Sequence, residues 1–524
     1  MSGTVTDTSC GVFFGLGGLD PDAINRFIVG EDTEPRTLTT TEATAELGDP
    51  FATLVLLKGT LPRTGEAVMA ALKAAAPAGD PLGADVQPFV LGEGSQLPSG
   101  ASADRDMRFV VATGGAGPDG PDVIISVFDP AGGDVELMAW DRVRGGFNYY
   151  RTVGDEAAWV HAGNSRHALA DPTQGKGPFE SHASGTMLMK ELRIPWNNWK
   201  SFEADIDGTI VFGAGDPRRD HPWFTGAQGA ENCEVNVAIP AIERWGRARF
   251  DQILADGGTV ADPGRILLQV LDTPTVNLVS SRAESQDPGT GGVTLPASFF
   301  VSEEALANAV GLQGPPAFTV PTDIYKESLR RFEFALDDGN RFHQAGDTHF
   351  AFFVPERALE DDVALREALR IGLLTPRLAA ALLMVDFPNP IYSDRRRRLL
   401  DHVPTQAVVA GGASTFSQDM ANAILGAAPG TPEGSPEREF ADRWAVGEVF
   451  TAPFNTLLVS YYAAVVGRVT TQDGFDAYMR LAETRRRRAK VATPIVREFP
   501  LLFPRTNVPD AARSMRLDGT VLEA

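Results

Sequence analysis

The chain is short of sulfur. Its 524 residues hold two cysteines, Cys10 and Cys233, and no CxxC or CxxCH. That excludes a disulfide framework, a cysteine-based zinc ribbon, an iron–sulfur cluster and a covalently attached c-type haem. It is also short of positive charge, with 47 Lys and Arg against 69 Asp and Glu, a formal balance of −22. A chain of that sign repels phosphate backbones, which excludes nucleic-acid binding through a broad basic face. Long apolar runs are missing as well. The longest, Phe454 to Gly467, is interrupted by Asn455, Thr456 and Ser460. A bilayer span needs about 20 apolar residues, so this stretch is expected to be a buried helix. The start, MSGTVTDTSCGVFFGLGGLDPD, has no basic segment and only a short apolar stretch broken by glycine, so it does not read as a signal peptide. The expected location is the cytoplasm, with no membrane and no nucleic-acid partner.

The common short catalytic signatures are absent too. There is no GxxxxGK[ST], HExxH or GxSxG, and the glycine-rich ATGGAGPDG bridges two expected strands rather than a strand and a helix. Arg outnumbers Lys 40 to seven, which fits a GC-rich bacterial genome and has no mechanistic weight.

What is present is a series of strands. Met107–Thr113, Val123–Asp129, Val135–Asp141, Phe147–Thr152 and Ala157–His161 are separated by turns too short for crossover helices, which predicts an antiparallel meander. Before it, Thr64–Ala76 has helical spacing, and residues 79–104, rich in Gly, Pro, Ser and Asp, read as a long surface loop. From Pro240 the pattern turns helical. Helices are predicted over 322–336, 358–371, 436–449, 454–468 and 473–489, with Thr375-Pro376 opening another. The fold class is therefore α+β, with an antiparallel β-meander in the N-terminal half and a mainly α-helical C-terminal half. The expected division is a β-rich region 1–165, an irregular His- and Trp-rich segment with helices 166–285, and a helical region 298–524, or one merged domain. Residues 285–297 are the expected linker.

Rare residues cluster between Trp140 and Trp223. These 84 residues hold four of the seven His and five of the seven Trp. Histidine is the commonest first-row metal ligand and the usual base near neutral pH. His161, His167, His182 and His221 are therefore candidate metal ligands. His182, Glu191 and Lys190 are candidate catalytic groups, and Trp196, Trp199 and Tyr149 a candidate cofactor wall. A second, smaller set is His343 and His349 around Asp347, and His402 stands beside an aspartate. The runs Arg395–Arg398 and Arg485–Arg488 point all ways round a helix and are expected to form ion pairs. ALEDDVAL reads as a solvated helix face, and MVDFPNPIYSD as a rigid loop without chemistry.

Three functional readings follow. The first is an enzyme acting on a small, largely apolar molecule, an oxidoreductase assisted by a metal ion or a non-covalent haem, with its site between the meander and the helical half. The second is a cofactor-free hydrolase, isomerase or cyclase using a His–carboxylate pair. The third is a structural or interaction protein with the Trp-rich loop as a contact patch. The expected partner is a small-molecule substrate, and a homo-oligomer is compatible with all three.

Overall fold

The computed structural model describes residues 16–92, 107–115, 119–188, 199–202, 205–281, 289–337, 343–345, 352–492 and 504–523. The described residues form two compact units, one reaching to Ala248 and one starting at Arg249.

The first unit is built on an eight-stranded sheet. Its strands are β1 (Asn25–Arg26), β2 (Arg36–Thr37), β3 (Val86–Gly92), β4 (Met107–Thr113), β5 (Val123–Val127), β6 (Val135–Asp141), β7 (Gly146–Val153) and β8 (Ala158–Asn164). The order across the sheet is β2-β1-β8-β7-β6-β5-β4-β3. Strands β4 to β8 form the expected antiparallel meander, β3 extends it by one antiparallel strand, and β1 joins β8 in a short parallel pair. β3 corrects the expectation of a loop across 79–104. Its Pro88 cannot donate to a ladder, and β3 sits at the sheet edge, where a strand tolerates that loss.

Each face of the sheet has its own core, because successive side chains point to opposite sides. On one face Phe109, Val111, Ile125, Leu137, Tyr150 and Trp159 pack against Phe51, Val68 and Leu72 from the helices Pro50–Leu54 and Gly65–Ala75. Trp159 donates from Nε1 to the Pro62 carbonyl at 2.7 Å. On the other face Phe89, Val110, Ile124, Met138, Phe147 and Tyr149 pack against Phe179, Met187, Trp199 and Trp245. Burial on both sides explains why β5 reads VIISV rather than as a strict polar–apolar alternation.

The second unit is mainly helical, with helices at Pro263–Leu271, Thr322–Arg331, Leu359–Arg370, Pro376–Leu383, Phe416–Ala427, Pro436–Ala445, Thr451–Val469 and Gln472–Ala492. The helix expected over 322–336 stops at Arg331. The expected linker contains a strand, Val293–Leu295, paired with Phe318–Val320. No helix among the described residues is long and apolar enough to cross a membrane.

Two readings of charge are corrected here. Glu360, Asp361 and Asp362 do not form a solvated face; all three are buried. Arg357 donates to Asp362 at 2.9 Å, and Gln269 donates to Asp361 at 3.2 Å. The arginine runs also divide. Arg397 and Arg488 form the expected ion pairs, with Asp272 and Asp394. Arg396 and Arg485 instead turn inward. Arg396 donates to the carbonyls of Leu271, Val385, Asn389 and Pro390, and Arg485 to those of Phe299 and Pro388 and to the Asn389 side chain. The NPIYSD loop is thus the anchor of a buried arginine network.

Candidate functional site

A cavity of about 130 Å³ lies in the first unit, on the face of the meander that carries Met138 and Tyr149. Its floor is set by strand register. Val110, Ser126, Glu136 and Arg151 stand in one row across β4 to β7, and Ile124, Met138 and Tyr149 in the next row. A bulge at Tyr149/Tyr150 shifts the register of β7 against β8, passing over Ala162. Beyond β8 the chain returns over this face through the Gly177–Glu180 turn, bringing His182 and Met187 to the cavity, and Trp199 closes another side.

The turn that carries His182 is fixed locally. Gly185 has φ +84°, and a Cβ there would stand 2.5 Å from the Ser165 carbonyl oxygen, so both its handedness and the close approach require glycine. Gly185 N–H donates to the His182 carbonyl, and Ser165 Oγ donates to the Gly185 carbonyl. Across the same turn His182 Nδ1 lies 2.8 Å from the Thr186 carbonyl oxygen. A carbonyl only accepts, so Nδ1 carries a proton, and the uncharged ring keeps its lone pair on Nε2. The ring lies against Tyr149, with centroids 5.2 Å apart and planes at 48°.

Three residues expected from sequence therefore meet at one cavity: His182, Tyr149 and Trp199. The other histidines do not join them. His161 is on β8 with its ring against Tyr150, which belongs to the opposite core, so the sheet separates it from His182. Burial, then the proximity of His167 and Arg26, lowers its pKa to about 3, and neither ring nitrogen has a hydrogen-bond partner among the described residues. His167 accepts from the Asn164 amide through Nδ1 and has Glu31 at 3.4 Å; burial pushes its pKa down. His221 caps the Pro222–Thr225 turn by accepting from Trp223 N–H, and its Nε2 meets Glu66 at 2.9 Å. Its ring lies beside Phe109 on β4, three strands from Tyr150 on β7 and four from His161 on β8.

Lys190, Glu191 and Trp196 lie outside the described residues, as do Cys10, Asp347 and His349. His343 begins a short strand, His343–Ala345. His402 is 3.7 Å from Glu437. Among the described residues no group of three or more His, Cys, Asp or Glu converges to hold a metal ion. Nor does the cavity fit a haem. A cavity of roughly 150 Å³ takes a benzene, and a porphyrin is several times larger.

Sequence reasoning missed the charged end of the site. Glu136 accepts from Arg108 Nη1 at 3.1 Å and has Arg151 Nη1 at 3.7 Å. Arg108 also lies over the Phe128 ring, 4.8 Å from its centroid. The signal was in the strand parity. Arg108, Glu136 and Arg151 stand in phase with Val110, Met138 and Tyr149, on the face that is otherwise apolar.

A larger depression, about 1310 Å³, lies in the second unit. Its charges are largely satisfied within the fold. Glu439 holds both Arg395 and Arg443, and Arg438 donates to the Thr431 and Pro429 carbonyls. It is an open groove with few groups left to act on a ligand, and the smaller cavity is the better candidate. No family model, curated protein or solved structure matches the chain.

Proposed function

We propose that the first unit binds a small organic molecule in the meander cavity and acts on it by general acid–base chemistry without a cofactor, with His182 as the proton carrier. One observation carries the reading: a histidine whose Nδ1 is committed to a carbonyl shares a cavity with a carboxylate, a phenol and an indole. A base needs a fixed tautomer with its lone pair available, and the Thr186 carbonyl supplies that constraint. Tyr149 and Trp199 form the wall against which an apolar body packs, and Glu136 is the carboxylate that shares the site. The size limits the substrate to roughly that of a substituted benzene or a short aliphatic chain.

The test is a ligand-observed NMR screen of compounds of that size against the whole protein, followed by turnover assays on the compounds that bind. The reading expects saturable binders that are lost when Ala162→Trp fills the cavity. It expects His182→Gln to keep binding and to lose turnover at least a hundredfold. Binders unaffected by Ala162→Trp, or full turnover in His182→Gln, would overturn it.

A further inference from the structure

We infer that the molecule taken by this cavity is an uncharged carbonyl compound, whose oxygen accepts from the Ser126 hydroxyl and whose α-hydrogen faces His182 Nε2. The inference rests on the reading of His182 as a proton carrier in a small-molecule cavity, and it names the substrate class and the group that holds it. Ser126 is the one polar residue of β5, VIISV. Register places it between Val110 on β4 and Glu136 on β6, and parity places it with Ile124 on the cavity side of the sheet. It lines the cavity, and its hydroxyl oxygen is buried with no hydrogen-bond partner among the described residues. A buried hydroxyl without a partner opposes folding, so one that faces an internal space marks where a polar atom of a ligand belongs.

The charged residues of the same wall are already engaged. Glu136 holds Arg108 and Arg151, and all three have further interactions within the fold. A charged ligand has to compete with those partners, whereas a neutral one leaves them in place. Two groups then address the ligand. The Ser126 O–H can donate a hydrogen bond, and the Nε2 lone pair of His182 can take a proton. A carbonyl group with a hydrogen on its α-carbon answers both. Ser126 stands two strands and one row from Tyr149, about 12 Å between backbones at ordinary sheet spacings. The His182 ring lies against Tyr149, and Ser126 reaches into the same space, so one small molecule spans the gap. The step is a reversible proton transfer. The α-carbon–hydrogen bond breaks and its proton goes to His182 Nε2. Its electron pair forms the carbon–carbon double bond of an enolate whose oxygen stays on the Ser126 hydroxyl. Return of a proton to carbon restores the carbonyl compound, and in heavy water the returning atom is deuterium.

The experiment uses the full chain and three probes: acetophenone, α-methylstyrene, which has a methylene in place of the oxygen, and benzoate. Affinities are read by ligand-observed NMR, and proton transfer by loss of the acetophenone methyl signal in heavy water. Acetophenone is expected to bind at least fivefold more tightly than either other probe and to exchange its methyl protons faster than without protein. Ser126→Ala should weaken acetophenone at least fivefold, slow the exchange at least tenfold and leave α-methylstyrene within twofold. Its melting temperature should not fall, since the substitution deletes an unpaired hydroxyl. His182→Gln should keep binding and slow the exchange at least a hundredfold. Equal affinity for acetophenone and α-methylstyrene, tighter binding of benzoate, unchanged acetophenone affinity or a lowered melting temperature in Ser126→Ala, or exchange no faster than without protein would overturn the carbonyl assignment and leave the cavity reading standing. No binding of any probe, or undiminished exchange in His182→Gln, would overturn both.

Discussion

Glu136 and Arg151 stand opposite one another on adjacent strands, on a face of the sheet that otherwise buries Ile124, Met138, Trp140 and Phe147. Charge at an inward position costs folding energy unless it is paired, and pairing there fixes the register, since a slip of one residue would turn each charge into the opposite core. The expense is met where the cavity lies, so the charged row and the cavity form one feature.

The two sides of the cavity should respond differently to truncation. Trp199 is 4% exposed, and Trp199→Ala removes a large buried ring at a cost of about 3–5 kcal/mol. His182 is half-buried on a turn and makes one side-chain hydrogen bond, so His182→Ala should cost about 1 kcal/mol. Urea unfolding followed by circular dichroism measures both. Equal losses would mean that His182 is a packing residue.

His161 should make the protein sensitive to mild acid. Its pKa in the folded chain is lowered to about 3, below the ordinary histidine value, so the unfolded chain takes up the proton first. The stability tied to the neutral ring is present above the unfolded pKa of about 6.5 and is lost as pH falls from there toward 3. Between pH 7 and pH 5 the wild type should lose about 2 kcal/mol more than His161→Phe. Parallel acid slopes for the two proteins would contradict this.

Neighbouring arginines of one run should differ sharply. Arg396 is 2% exposed and holds four carbonyl oxygens, and each buried acceptor left without a donor costs about 1–3 kcal/mol. Arg396→Ala should therefore destabilise by more than about 3 kcal/mol. Arg397, 58% exposed on Asp272, should cost less than about 1 kcal/mol when replaced by Ala. Thermal unfolding of the two variants decides the order.

The fold was legible where periodicity and turn length agree. β4 and β6 have the limits read from sequence, and β5, β7 and β8 differ by a few residues, because apolar strands between short glycine turns leave little freedom. β3 was hidden by Pro88 and by its setting in a loop-like composition. The burial of Glu360, Asp361 and Asp362 was illegible because it depends on Arg357 and Gln269, which only the tertiary fold brings near. Of the site, Tyr149, His182 and Trp199 were found by clustering of rare residues. The same clustering drew in His161 and His221, since proximity along the chain does not tell one face of a sheet from the other. Arg108, Glu136 and Arg151 were passed over because the strand register had not yet been combined with charge parity.

The central claim, that His182 is a fixed proton carrier in a ligand cavity, is tested most directly by long-range ¹H–¹⁵N NMR of the imidazoles at pH 8, before and after addition of a binder found in the ligand screen. The predicted spectrum shows His182 with its proton on Nδ1, and an Nε2 resonance that moves on binding while those of His161 and His221 stay in place. A His182 protonated on Nε2, or an Nε2 resonance unmoved at saturating concentrations of that binder, would contradict the account.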